Sequence, residues 1–210
     1  AQEGKQPPHV AGGEDEAQAA LQAAAHATQA AGGNAEDVVL AVGEVASKLA
    51  ASKRDGGEDA EACTQRMLHE VSEVVAVEAA RQGVPAKRAA QLVLAVVRDA
   101  GADDTQAQRA VALVSSKMAL AEGKPEEQAL VEAAKAVKAS GGSSTAVAQQ
   151  VAEVASSLPH SKQQPVQHVA QLAAAAVKGA GGSSQQAAQA ARMAATAHAV
   201  QQHTTTNNNT

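Results

Sequence analysis

Val137-Lys138-Ala139-Ser140-Gly141-Gly142-Ser143-Ser144 is the stretch from which the fold can be read. An apolar-periodic segment runs into two glycines and then into two serines. Glycine just past a helix end supplies the left-handed backbone that stops a helix. A serine in the next position accepts from the free N–H groups that open a new one. The stretch therefore predicts helix, tight turn, helix. Forty residues later the same eight positions read Val177-Lys178-Gly179-Ala180-Gly181-Gly182-Ser183-Ser184.

The forty-residue period extends outward from this joint. Pro85, Pro125 and Pro165 share it and define units 85–124, 125–164 and 165–204. A further unit, 16–55, aligns without gaps, with Glu16 in the proline position. The seventeenth position of the four units is Gly32, Gly101, Gly141 and Gly181; the nineteenth is Asn34, Asp103, Ser143 and Ser183. All four of the latter are strong N-cap types. Proline at a unit's start suits the first helical turn, where no N–H is required.

Apolar residues keep the same register. In the second helix of each unit the stripe is Val38, Val42, Val45, Leu49; then Ala107, Val111, Val114, Met118; then Val147, Val151, Val154, Leu158; then Ala187, Ala191, Ala194, His198. The first helices carry a companion stripe, for example Leu130, Ala133, Ala134 and Val137. Steps of three and four residues mark one helix face. Residues 56–84 stand outside the period and read as one inserted helix, with Met67, Val71, Val74, Val75 and Val77 within it.

The expected fold class is all-α. Nine Ala-rich helices are predicted, at 14–30, 35–52, 58–82, 86–99, 104–121, 126–139, 144–158, 166–178 and 184–202. They form four tandem helical hairpins plus the insertion, packed as a bundle or short stack. Residues 1–13 read as a loose arm, 14–203 as the repeat domain and 204–210 as the start of a polar linker. The last unit, with the weakest stripe, is expected to act as a polar cap or to dock onto a partner.

Composition explains how such a chain holds together and excludes several classes of function. The 210 residues contain no Phe, Tyr, Trp or Ile, and alanine is the commonest residue. Alanine has the best helix propensity and loses no side-chain entropy on folding. It buries little area, so stability must come from many close helix contacts. A net charge of −5 with mixed signs, and no ring for base stacking, argue against a nucleic-acid partner. No apolar run is long enough for a membrane span.

Residues able to carry chemistry are few and scattered along the chain. Cys63 is the one cysteine, so no internal disulfide can form; its readings are a small apolar role, an interchain disulfide and, with no His or Asn patterned beside it, least of all a catalytic thiol. Seven histidines (His9, His26, His69, His160, His168, His198, His203) include no pair at helical i, i+4 spacing, so no metal site is expected. Acidic pairs at Glu58-Asp59, Asp103-Asp104 and Glu126-Glu127 sit at predicted helix starts, where the macrodipole favours them. The Gly-Gly-Ser-Ser turns lack the lysine and preceding strand of a phosphate loop. Ice binding would want a regular threonine repeat, which Thr28, Thr64, Thr105, Thr145 and Thr196 do not keep. No catalytic residue and no cofactor are expected.

The joints 137–144 and 177–184 resemble the helix–Gly–Ser–helix joints in the globular repeat domains of spider silk proteins, a likeness covering residues 85–200. That resemblance implies an all-helical, secreted, self-assembling module, and it carries over no functional residue. Three classes of function are then in view. The first is a structural, self-assembling extracellular module whose partner is another copy of itself. The second is a helical scaffold for a protein partner. The third is a carrier for a small apolar ligand.

Overall fold

The computed structural model describes residues 12–55, 60–158 and 161–207. Nine α-helices are found among them: α1 (Gly12–Ala30), α2 (Ala35–Asp55), α3 (Ala60–Arg81), α4 (Ala86–Asp99), α5 (Asp104–Ala121), α6 (Glu126–Ala139), α7 (Ser144–Ser157), α8 (Val166–Gly179) and α9 (Ser184–Asn207). No strand occurs among the described residues. Several boundaries differ from the sequence reading: α2 runs three residues further, to Asp55, and the ends of α3, α7 and α8 move by one or two. Helix α1 begins at Gly12, inside the expected arm, and α9 runs on to Asn207, through Thr204–Thr206. No glycine or proline lies between Ser184 and Asn207 to stop α9.

The turns form as the sequence chemistry dictates. Gly101 takes φ +86° and Gly141 φ +89°. The N–H of Gly142 then returns to the carbonyl of Val137 at 2.9 Å, and that of Gly141 to Lys138 at 3.2 Å. These are the two bonds of a Schellman end. Gly83 and Gly123, each two residues before a proline, make the same turn. The four expected N-caps are all engaged. Asn34 Oδ1 accepts from the N–H of Glu36 and of Asp37, Asp103 and Gln106 form a reciprocal capping box, and Ser143 and Ser183 accept from Ala146 and Gln186. Pro85, Pro125 and Pro165 take the N-cap position itself, one residue before their helices, in extended backbone. The α7–α8 link has no glycine. Leu158, restricted by the proline that follows, is extended and ends α7. A single 3-10 turn, Ser161–Gln163, follows. Ser161 Oγ lies 2.6 Å from the carbonyls of both Ser156 and Leu158.

Helices that double back through such turns pack in two layers. The odd-numbered helices contact one another in chain order (α1, α3, α5, α7, α9) and form one layer; α2, α4, α6 and α8 form the other. In space α3 stands to α2 as α5 stands to α4, so the helix that breaks the sequence period is an ordinary member of the stack. The odd helix out is α1, which packs on α2 and α3 at one end. Met67, Val71, Val74 and Val75 of α3 are buried, whereas Val77 is exposed.

Two apolar clusters share α5. Val111, Val114 and Met118 face the cluster of α1–α4, with Leu21, Val42, Val75, Val93 and Val97; Ala112 and Leu113 face the cluster of α6–α9, with Leu130, Val151, Val154 and Val177. Because α5 touches α3, α4, α6 and α7, it is buried nearly all round, although its sequence shows one stripe. His198 is 1% exposed and completes the α9 stripe with Ala187 and Ala194, so α9 is part of the core. The His198 ring Nε2 lies 3.0 Å from the Gln164 carbonyl and 2.9 Å from the Gln202 side-chain amide, which satisfies the imidazole on one side.

Candidate functional site

The two layers are not equally closed. Helices α2 and α4 touch, and so do α6 and α8, but α4 and α6 between them hardly meet. Glycine explains the two closed contacts. In α2, the methyls of Val96 occupy the space where a Cβ on Gly43 would lie. In α8, a Cβ on Gly179 would stand 2.8 Å from Val131 Cγ2 of α6. Moving that second pair back by one forty-residue unit gives Gln91 on α4 and Ala139 on α6. A long amide facing a methyl replaces a valine facing bare backbone, and the helices stand apart.

The gap is a cleft of about 550 Å³. Ala86, Ala90 and Leu94 of α4 form one wall, and Ala136 and Ala139 of α6 the other. Val111 and Ser115 of α5 form its floor. Lys87, Gln91, Glu132, Lys135 and Ser140 line the rest. Most of these polar groups are engaged: Lys135 Nζ donates to Glu132 Oε1 at 3.0 Å, and Ser140 Oγ donates to the Val137 carbonyl at 2.8 Å. Lys87 has no ion-pair partner among the described residues. Its neighbour Arg88 is paired with Glu36 of α2, and the first turn of α4 holds no carboxylate. A mainly apolar surface with polar groups set among it is the usual form of a small-molecule site, and this volume lies within the range of roughly 300–1,000 Å³ such sites occupy.

A smaller cavity of about 320 Å³ lies among Gly43, Met67, Leu68, Val71 and Val96. Its polar lining is already committed. Ser47 Oγ donates to the Gly43 carbonyl, and Asp103 and Gln106 cap α5.

Charged side chains elsewhere tie the odd layer together. Glu73 of α3 accepts from Lys117 Nζ of α5 at 2.8 Å, and Arg109 Nε of α5 lies 3.3 Å from Glu153 Oε2 of α7. The bond from Lys117 holds the Glu73 carboxyl below its ordinary pKa. His69, one turn away on α3, keeps much of its side chain exposed, but partial burial lowers its pKa and the nearby Lys117 ammonium pushes the same way. These are surface links between neighbouring helices; Glu153 also lines an open depression of about 390 Å³ between α7 and α9, with Gln149, Arg192 and Met193.

The residues singled out in the sequence do not converge. Cys63 falls within α3, but its side chain lies outside the described residues, as do His9 and His160. His26, His69 and His168 are exposed on three different helices, and His198 is buried. Among the described residues no three of His, Cys, Asp and Glu come close enough to hold a metal ion. The Gly-Gly-Ser-Ser turns use their serines as caps. No helix of the described residues is long and apolar enough to cross a membrane. The cleft itself went unread in the sequence, although a signal was there. The register position of Val131 is glutamine in the other three units, at Gln22, Gln91 and Gln171. The protein-family models contain no match to this chain, and no curated protein matches it.

Proposed function

We propose that this chain is a non-catalytic helical scaffold that receives an apolar occupant between α4 and α6. The observation carrying this reading is the cleft, a break in an otherwise closed layer with a floor of Val111 and Ser115 and walls of Ala and Leu. Leu40, Val77 and Val200 are also exposed, but they lie on three different helices and enclose nothing. The reading favours the carrier and scaffold classes over a purely structural module, because a module that acts through packing alone has no use for an open seam.

An uncharged solvatochromic dye, Nile red, tests it. The full chain is expected to bind it saturably at one site. Ala139→Trp should abolish that site, because Ala139 is exposed on the cleft wall and an indole there fills the slot. The same indole, the only aromatic in the chain, should report burial by a blue-shifted emission. Dye binding that survives Ala139→Trp in a protein with unchanged helical circular dichroism would overturn the proposal.

A further inference from the structure

The charges around the cleft say what kind of occupant fits. Resting on the cleft as the binding site, we infer that it takes a single-chain amphiphile with an anionic head, of the fatty carboxylate class, and that Lys87 holds the head.

Three observations lead there. The first is charge. Of the three charged side chains on the cleft, Glu132 and Lys135 neutralise each other at 3.0 Å. Lys87 is left with an ammonium that no carboxylate of the described residues meets. The cleft therefore presents one uncompensated positive charge, at the end where α4 begins, and a complementary occupant carries one negative charge there.

The second is polarity along the slot. From Ala86 to Leu94 the α4 wall runs for about 12 Å at 1.5 Å per residue, and its inner residues are Ala86, Ala90 and Leu94. A ligand entering at Lys87 thus meets Ala90 and Leu94 of α4, Ala136 and Ala139 of α6 and Val111 beneath, interrupted by Gln91, Ser115, Ser140 and the mutually paired Glu132 and Lys135. Charge at one end and a mainly apolar slot, in which Glu132, Lys135 and Ser140 are already engaged within the protein, describe an amphiphile.

The third is volume. A helix about 10 Å across that rises about 5.4 Å per turn displaces roughly 420 Å³ per turn. The cleft, at about 550 Å³, would enclose little more than one turn. A single hydrocarbon chain is a closer match in width and needs no partner outside the slot.

The test is calorimetric titration of the full chain with octanoate and decanoate below their micelle concentrations, and with 1-octanol as the uncharged counterpart. One octanoate per chain is expected, bound more tightly than octanol. Each added methylene should tighten binding about fourfold while the tail still lies in the slot. Lys87→Met should weaken octanoate by up to about fivefold, the upper end for an exposed ion pair, and leave octanol unchanged. Ala139→Trp should abolish both. Equal affinity for octanoate and octanol, or an unchanged octanoate affinity in Lys87→Met, would overturn the anionic head group; the cleft would still stand if Nile red binding is lost in Ala139→Trp. Absence of saturable octanoate binding beside intact Nile red binding would overturn the amphiphile alone, and failure of both probes would overturn cleft and amphiphile together. Concentration-dependent dimerisation that Ala139→Trp abolishes would identify a second copy of the chain as the occupant, and would likewise overturn the inference.

Discussion

Val131 of α6 rests on the bare backbone of Gly179 in α8, with its Cγ2 2.8 Å from where a Cβ on Gly179 would be. Atoms of that kind pack at about 3.5–4.0 Å. The contact therefore depends on glycine having no side chain, and it draws α6 and α8 together where α4 and α6 stand apart. The difference between a closed seam and an open one comes down to two positions of a repeat.

Gly179→Ala tests that relationship. Gly179 ends α8 without a positive φ, so alanine suits its backbone and should gain up to about 1 kcal/mol in helix propensity. Against this stands the overlap with Val131, and overpacking of this kind costs about 1–3 kcal/mol. A net loss of about 1 kcal/mol is expected in urea denaturation. In a Val131→Ala background the overlap is gone, and the same substitution should become neutral or stabilising. If Gly179→Ala stabilises the unaltered chain, the close approach is not what joins these helices.

What was legible in the sequence was local. Gly141 next to Ser143 specifies a turn within a few residues of itself, and the four predicted caps formed because a cap needs only its own next turn. The apolar stripes gave the buried faces because 3.6-residue periodicity is a property of one helix. Which helix lies beside which was not legible. Residues 56–84 fall outside the sequence period, yet α3 sits in the stack, since packing responds to an apolar face and not to its place in a repeat. The cleft was hidden for the same reason. Gln91 and Ala139 are unremarkable singly, and their meaning appears only once Val131 is known to face Gly179.

Gln150 marks a second departure from the repeat. It is 1% exposed, and neither its side-chain oxygen nor its nitrogen has a hydrogen-bond partner among the described residues. The same position in the neighbouring units is Ala110 and Ala190, both fully buried. An unpaired buried amide costs about 1–3 kcal/mol, whereas an apolar group of similar shape has no such cost. Gln150→Met is therefore expected to stabilise the chain by about 1 kcal/mol, read as a higher urea midpoint with an unchanged slope. Gln150→Glu should do the opposite and by more, because a carboxylate there would be buried without a partner. A Met variant weaker than the unaltered chain would mean that the amide is satisfied, for example by a buried water.

Acid should weaken the α3–α5 contact in two stages. His69 is held below its ordinary pKa of 6.5, first by burial and then by the Lys117 ammonium, with Arg109 adding slightly and Glu73 opposing. An imidazole whose folded pKa lies below its unfolded value takes up its proton more readily in the unfolded chain. Its effect is a loss of stability as pH falls below about 6.5, the unfolded value. Glu73 is held below its ordinary 4.5 by the hydrogen bond from Lys117. Its contribution is fully present above that value and is lost as pH falls further, through the folded pKa. His69→Gln should remove the upper stage alone. Between about pH 7 and about pH 5.5 its urea midpoint should fall less than that of the unaltered chain. The other six histidines are the same in both proteins and cancel in the comparison. Lys117→Met should shrink both stages, because one ammonium acts on both groups. Identical pH profiles for the unaltered chain and His69→Gln would show that His69 binds its proton equally in the folded and unfolded states, and the account of this contact would fail.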